Sequence, residues 1–135
     1  MQQAGLTFSK DDVYHLDYTY ESAYRLAIAR VRDWAGPKHC VFAANDEMAA
    51  GIIAGANAKN VAVPADLGVV GFDDTRVAQM TRPLLTTVRV PMSQMGATAV
   101  ELLCQRIAEP DRPPEKVSLN AELVVRESCG CKAGN

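Results

Sequence analysis

The sequence has 135 residues, of which 48% are hydrophobic, and no apolar run approaches the roughly 18 residues needed to cross a bilayer. This composition predicts one globular domain with a buried core, or a piece of a larger one. The 14 basic and 16 acidic residues give a formal net charge of -2. The basic residues are scattered and form no dense run, so the sequence shows no obvious charged surface for binding a phosphate backbone.

The first third of the chain predicts a helix followed by a strand. Residues 1–5 lack the basic and apolar parts of a signal peptide, which favours the cytoplasm. Thr19 is expected to cap a helix with an apolar stripe at three- and four-residue spacing, which Gly36 and Pro37 end. The apolar run at 40–44 is too short for a buried helix and predicts a strand covered on both faces.

A second helix and a second strand come next. Asn45 and Asp46 are expected to start the helix, and Asn60 suits the left-handed turn that closes it. The apolar run at 68–72 predicts the strand, which leads directly into Asp73. Both predicted strands therefore end in polar side chains.

The rest of the chain predicts a third helix, over 92–108, and two short strands, over 116–119 and 123–126. The helix side chains expected to face inward are Met92, Met95, Ala99, Leu102, Leu103 and Ile107. Because strands alternate with helices, the fold class is predicted to be α/β with a mainly parallel sheet.

The polar residues after the two apolar strands form the predicted ligand site. In open α/β sheets, ligands bind beyond the carboxyl ends of the strands, so Asn45, Asp46, Asp73 and Asp74 are expected to face one crevice. Carboxylates and amides suit a ligand rich in hydroxyl groups. Helix capping is the favoured role for Asp46 and Asp74, and ligand contact is the favoured role for Asn45 and Asp73.

Tyr18 is a further candidate for ligand binding. It lies just before the first predicted helix, where a ring can lean over a cleft and pack on the C–H face of a sugar or on a base. A core or interface role for this tyrosine is an equally good interpretation of the sequence.

Motifs typical of enzymes are missing. The sequence has no G-x-S-x-G elbow, no P-loop and no G-x-G-x-x-G, and it predicts neither a cofactor nor a metal site. Cys40 and Cys104 are expected in the core, whereas Cys129 and Cys131 form a pair near the end that is able to oxidise in vitro. A hydrolase that holds Mg²⁺ on two adjacent strand-end aspartates remains an alternative.

Four segments, taken in order, resemble the LacI/GalR family of transcriptional repressors. Residues 41–49 (VFAANDEMA) are similar to a family signature that ends the first apolar strand, and residues 63–74 (VPADLGVVGFDD) resemble the family's next signature. Residues 83–89 (PLLTTVR) and 123–128 (LVVRES) are similar to two later ones. Together they cover the chain from about Asp17 onward.

The resemblance implies an α/β three-layer sandwich with a mainly parallel sheet, one lobe of a periplasmic-binding-protein-like fold that closes on an effector. It implies effector contacts for Tyr18, Asn45, Asp73, Val90 and Met92, with a sugar preferred as effector and a nucleobase as the alternative. It also implies a homodimer whose apolar contact surface is supplied by Ile52, Ile53, Val77 and Met80, although both isoleucines also suit the core.

The same resemblance implies that residues 1–135 form the C-terminal lobe of a longer regulator, without its first lobe and its helix-turn-helix module. Operator DNA would then be bound only through that module. The alternative function is a sugar-binding component of a transporter, because the fold is shared.

Overall fold

The computed structural model describes residues 9–36 and 39–131, so residues 1–5 and Pro37, used above, lie outside the described residues. The helices and strands alternate along the chain: α1 (Tyr20–Trp34), β1 (Cys40–Phe42), α2 (Asp46–Ala58), β2 (Gly68–Asp73), β3 (Thr86–Arg89), α3 (Met92–Ala108) and β4 (Glu122–Val124). Short 3-10 helices occupy Lys10–Asp12 and Arg76–Gln79. Among the helices in these ranges, none has both the length and the apolarity that crossing a bilayer requires.

The four strands form one sheet in the order β1-β2-β3-β4. The first three strands are parallel, with Phe42 beside Val70 and Asp73 beside Arg89, and β4 is antiparallel to β3. The predicted α/β class with a mainly parallel sheet is therefore confirmed.

Helices α1 and α2 cover one face of the sheet and cross each other closely. A Cβ added at Gly51 would lie 2.3 Å from the Tyr20 carbonyl oxygen, and one added at Gly55 would lie 2.5 Å from the Ala27 Cβ. Glycine at both positions therefore lets the two backbones touch. The apolar side chains of this contact, together with Val69 and Leu67, form the core.

The opposite face of the sheet is open within the described residues. Phe42 is 60% exposed and meets the ring of Phe72 edge-on at 6.4 Å, and Leu123 on β4 is 57% exposed. The prediction that the first strand is covered on both faces was wrong for this part of the chain, because both long helices before β2 lie on one side.

Helix α3 has the predicted bounds but not the predicted orientation. None of its residues is buried, and Leu103 and Ile107 are 58% and 70% exposed. The helix leaves the sheet directly after Pro91, so its apolar stripe does not face the core formed by α1, α2 and the strands. Its amphipathic pattern predicted a helix correctly, but such a pattern does not specify the part of the protein against which the apolar face packs.

Two predictions about helix ends, the cap at Thr19 and the left-handed residue Asn60, are confirmed. The Thr19 side chain accepts a hydrogen bond from the Ser22 N–H at 3.2 Å and caps α1, and Asn60 has a left-handed φ of 57°. The strand predicted over 116–119 was wrong, since no strand pairs with these residues and β4 begins only at Glu122.

Candidate functional site at the strand ends

The carboxyl ends of the three parallel strands bring five polar residues to one edge of the sheet. We call Asn45, Asp46, Asp73, Asp74 and Arg89 the strand-end cluster. The first two follow β1, the aspartates end or follow β2, and Arg89 ends β3 beside Asp73. The predicted juxtaposition follows from parallel pairing, because parallel strands end at the same edge.

Asn45 caps α2. Its Oδ1 accepts a hydrogen bond from the Met48 N–H at 2.8 Å, and its Nδ2 donates to the Tyr18 carbonyl oxygen at 3.0 Å. The capping role predicted for Asp46 was therefore wrong, because Asn45 is the residue that precedes the first helical turn. One amide hydrogen and one oxygen lone pair of Asn45 are left over for a ligand.

Asp46 is the buried carboxylate of the cluster, with only 1% of its surface exposed. Its Oδ1 accepts a hydrogen bond from the Thr87 hydroxyl at 2.6 Å, and its Oδ2 accepts from the Thr75 N–H at 2.6 Å and hydroxyl at 3.0 Å. A Cβ added at Gly71 would lie 2.6 Å from Oδ1, so glycine is needed there. Asp46 thus ties the start of α2 to β3 and to the loop after β2.

Asp73 is the carboxylate that the fold leaves available. Within the described residues its side chain has no hydrogen-bond or salt-bridge partner, and its backbone has a positive φ of 103°. Partial burial, and then the negative charge of Asp46, raise the pKa of Asp73 above its ordinary value. A ligand that donates hydrogen bonds would stabilise this carboxylate, which none of the described residues does.

Asp74, in contrast, is committed to two arginines. Its side chain is 5% exposed and accepts hydrogen bonds from Arg126 and, at 2.7 Å, from the Nε of Arg89. Burial alone would raise the pKa of Asp74, but the hydrogen bonds from Arg126 and Arg89 outweigh it and hold the pKa below its ordinary value. The predicted capping role for Asp74 was therefore wrong, since Thr75 precedes the next 3-10 helix.

This arrangement gives no support to the alternative of a magnesium-dependent hydrolase. The side chains of residues 9–36 and 39–131 include no group of three or more His, Cys, Asp or Glu that could hold a metal ion. Asp74 is already neutralised by guanidinium groups, which leaves Asp73 as a single carboxylate.

The other predicted ligand residues surround the same edge. Tyr18 is 66% exposed, has a φ of 65°, and is joined to the cluster through Asn45. Val90 directly follows Arg89 and is half-buried, and its carbonyl oxygen accepts a hydrogen bond from the N–H of Met92 at 2.8 Å. Met92 is 48% exposed at the start of α3. Tyr18 thus contacts the strand-end cluster through its backbone, and Val90 and Met92 follow the cluster in sequence; a ligand role for the three stays a prediction.

The residues expected at a dimer contact divide into two groups. Ile52 and Ile53 are each 3% exposed and belong to the core, which was the alternative left open for both, although Ile53 also lines the concavity described below. Val77 is half-buried and Met80 is 67% exposed. These two border a concavity of about 440 Å³ between α2 and the Arg76–Gln79 helix, lined by Tyr20, Glu47, Ala50, Ile53, Ala54, Asn57, Val77, Met80, Thr81 and Arg82.

Four residues that organise the cluster were not predicted from the sequence. Thr75 and Thr87 hold Asp46, and Arg89 and Arg126 hold Asp74. All but Thr75 lie within the segments that carry the family resemblance, yet threonine in a strand and arginine at its end fit ordinary structural roles equally well. Only the tertiary contacts reveal which carboxylate each of the four residues reaches.

Comparison with known proteins extends these observations. The family model described as a periplasmic binding protein-like domain matches residues 1–129. The HTH-type transcriptional regulator GalR of Lacticaseibacillus casei is 40% identical over 114 residues, which cover 82% of this chain and 34% of that protein. The structure of a transcriptional regulator CelR–cellobiose complex is 33% identical with a TM-score of 0.83, covering 94% of this chain and 38% of that one.

A second solved structure, a LacI family transcriptional regulator from Enterococcus faecium with bound ribose, is 28% identical with a TM-score of 0.71 and covers 82% of this chain and 40% of that one. The chain thus spans 34–38% of the length of the first curated relatives that it matches and 38–40% of the two solved structures named here.

Proposed function

We propose that this chain senses an effector. The premise is that it belongs to the LacI family of transcriptional regulators, and it matches the periplasmic-binding-protein-like domain along most of its length. The resemblance noted in the sequence is thereby confirmed. The matched relatives are transcriptional regulators, in agreement with the prediction that the chain is not an enzyme.

The proposed ligand is a sugar that binds at the strand-end cluster. The observation that supports this is the Asp73 carboxylate, which lies at the carboxyl edge of a parallel sheet without a partner among the described residues. A pair of sugar hydroxyls supplies the two donors that such a carboxylate needs. The exposed ring of Tyr18 offers a flat apolar surface for the C–H face of the same ligand. Two similar regulators were solved with cellobiose and with ribose, which favours sugars over nucleobases.

A thermal-shift screen of the full-length regulator, which supplies both lobes of the proposed effector site, against sugars and nucleobases tests this proposal. A sugar should raise the melting temperature, and Asp73→Asn should weaken its binding by about 10- to 100-fold, as expected for the loss of a hydrogen bond to a charged group worth about 1.5–3 kcal/mol. Asp111→Asn, at an exposed position after α3, is the matched control and should bind as the parent does. Undiminished binding by Asp73→Asn would contradict the assignment, and a rise with nucleobases alone would contradict the ligand class.

The proposed output of sensing is altered DNA binding by a longer regulator. In that arrangement residues 1–135 are the C-terminal lobe, a separate helix-turn-helix module contacts operator DNA, and the protein acts in the cytoplasm where its operator is. A ligand that binds one lobe arrangement better than another shifts the population toward it and so changes operator affinity. The alternative of a transporter component has less support, because the matched relatives are regulators.

The proposed assembly is a homodimer formed through the concavity beside α2. Its rim carries Met80, 67% exposed, and its walls include Ala50, Ala54 and Val77, so that an apolar side chain from a second copy can enter it. Large exposed apolar side chains at a concave surface are typical of protein contacts.

Sedimentation velocity tests the assembly. Ala54→Glu would put a charge on the wall of the concavity and should convert dimers to monomers at a concentration where the parent is dimeric. Val100→Glu, on the exposed α3, is the control and should not change the sedimentation coefficient. Monomers of the parent at high concentration, or dimers of Ala54→Glu, would contradict the proposed contact.

A further inference from the structure

Three cysteines lie together at the amino-terminal ends of the strands, opposite the strand-end cluster. Cys40 begins β1 beside Gly68, the first residue of β2. A Cβ added at Gly68 would lie 3.4 Å from the Cys40 Sγ and 3.4 Å from the Cys129 carbonyl oxygen, so the two cysteines flank the same glycine. Cys131 follows two residues after Cys129. Neither the core nor the effector site uses these thiols.

Cys129 is held in place by its buried neighbour. Ser128 is fully buried, and its hydroxyl donates to the Val69 carbonyl oxygen at 2.6 Å and accepts from the Thr86 N–H at 2.9 Å. The Ser128 carbonyl oxygen also accepts a hydrogen bond from the Val69 N–H at 2.8 Å. The residue that follows Ser128 is therefore fixed on the sheet edge rather than carried by a loose tail.

The turn after Cys129 brings Cys131 back to it. Gly130 has a φ of 74°, a left-handed conformation that glycine adopts without strain. The backbone N–H of Cys131 then donates a hydrogen bond to the Cys129 Sγ at 3.3 Å. Cys131 is exposed and Cys129 is half-buried, so small reagents reach the pair from solvent.

The surroundings shift the pKa values of the three thiols in different directions. Burial alone would raise the pKa of Cys129, but hydrogen bonds from Thr86 and Cys131 outweigh it and lower the pKa. The pKa of Cys131 is raised by its hydrogen bond to Cys129 and by the charge there. Burial, and then the charges of the other two, raise the pKa of Cys40. Cys129 is thus the first of the three thiols to ionise as the pH rises, and Cys131 ionises after it.

We propose that Cys129 and Cys131 form an oxidisable dithiol, in which Cys129 is the nucleophile toward peroxide and Cys131 is the resolving thiol. The Cys129 thiolate attacks one peroxide oxygen, the O–O bond breaks, and the released hydroxide takes up a proton to leave as water. The Cys131 sulfur then attacks the sulfenic sulfur of Cys129, and the S–OH oxygen leaves as water with the thiol proton. Two thiols and one peroxide thus give one disulfide and two waters.

Intact-mass analysis with peptide mapping, on the reduced chain treated with one equivalent of hydrogen peroxide, tests the proposal. The parent should lose the mass of two hydrogens, with the disulfide mapped between Cys129 and Cys131. Cys131→Ser should stop at the sulfenic acid, which dimedone traps on Cys129. Cys129→Ser should lose the intramolecular disulfide completely.

Two other cysteines provide the controls. Cys104 is exposed on α3, far along the chain from the pair, and Cys104→Ser should oxidise as the parent does. Cys40→Ser should also keep the disulfide. Loss of the disulfide in Cys40→Ser, or dimedone labelling of Cys104 as fast as that of Cys129, would overturn the proposal. Circular dichroism of each variant separates a chemical effect from failure to fold.

Discussion

Replacing Asp46 by alanine is the change that should most clearly distinguish a structural carboxylate from a ligand-binding one. Asp46 and Asp73 are both acidic residues at strand ends, but only Asp46 is fully buried and fully hydrogen-bonded. We expect Asp46→Ala to lower the stability of the protein strongly, whether or not a ligand is present.

The size of the loss follows from the contacts of Asp46. Three hydrogen bonds to its carboxylate are lost, each worth about 1.5–3 kcal/mol when one partner is charged. The three do not add fully, because the exposed Thr75 can turn its hydroxyl to water, whereas the Thr87 hydroxyl stays buried without its partner. The expected loss is about 3–5 kcal/mol, a large part of the ~5–15 kcal/mol that holds a typical domain folded.

Urea unfolding followed by circular dichroism measures this loss. Asp46→Asn is the conservative variant, because an amide oxygen can still accept from Thr75 while the amide nitrogen donates to Thr87, and it should lose less than half as much. Glu21→Ala, which removes an exposed ion pair with Arg25 in the first turn of α1, is the matched control and should cost under about 1 kcal/mol. A loss for Asp46→Ala no greater than that of Glu21→Ala would refute the reasoning.

Three further changes test neighbouring contacts. Gly71→Ala should lower the free energy of unfolding in urea by about 1–3 kcal/mol, since its Cβ would lie 2.6 Å from the Asp46 carboxylate. This loss should be smaller in a protein that also carries Asp46→Ala, and additive losses would contradict a direct clash. Arg126→Leu should lower the free energy of unfolding by about 2–4 kcal/mol at pH 7, and this loss should shrink on acidification. The reason is that the lowered pKa of Asp74 gives stability that is present above the ordinary aspartate pKa and is lost as the pH falls through the pKa of Asp74 in the folded protein. A loss that does not change with pH would be evidence against this pairing. Asp73→Asn should raise the melting temperature at pH 7 but not at about pH 3. The raised pKa of Asp73 means that folding disfavours its ionised form, and this destabilisation is present only above the ordinary aspartate pKa. An equal change in melting temperature at both pH values would exclude that cause.

The fold could be predicted from the sequence where local and tertiary signals agree. Thr19 and Asn60 fixed a helix start and a helix end through backbone requirements that do not depend on distant residues. The apolar runs around β1 and β2 gave the parallel sheet and, with it, the shared edge of the strand-end cluster. The inward face of α3 could not be predicted in the same way, because an apolar stripe such as that of Leu103 specifies a face and not its partner.

The roles within the site were harder to predict because adjacent polar residues compete for the same backbone geometry. Asparagine and aspartate are both good helix caps, so the sequence does not show whether Asn45 or Asp46 is the residue directly before the helix. In the structure it is Asn45, because α2 begins at Asp46. Asp46, the first residue of α2, then becomes a buried acceptor only because Gly71 on β2 leaves room for its carboxylate. No spacing within either segment contains that information.

The strand-end cluster shows how two neighbouring aspartates acquire opposite properties. Asp73 and Asp74 both have positive φ, 103° and 54°, a region that few residues other than glycine adopt, although aspartate adopts it more often than most. This backbone sends the Asp74 side chain inward to Arg126 and leaves Asp73 without a partner in the described residues, so the pKa of one falls and that of the other rises. The hydrogen bonds that Asp74 accepts from Arg89 and Arg126 hold this turn in place, and the Asp73 carboxylate stays available. At the proposed ligand site, this arrangement places an ionisable, unpaired acceptor before any hydroxyl donor binds, so the conformational cost of placing it is met by folding and not by ligand binding.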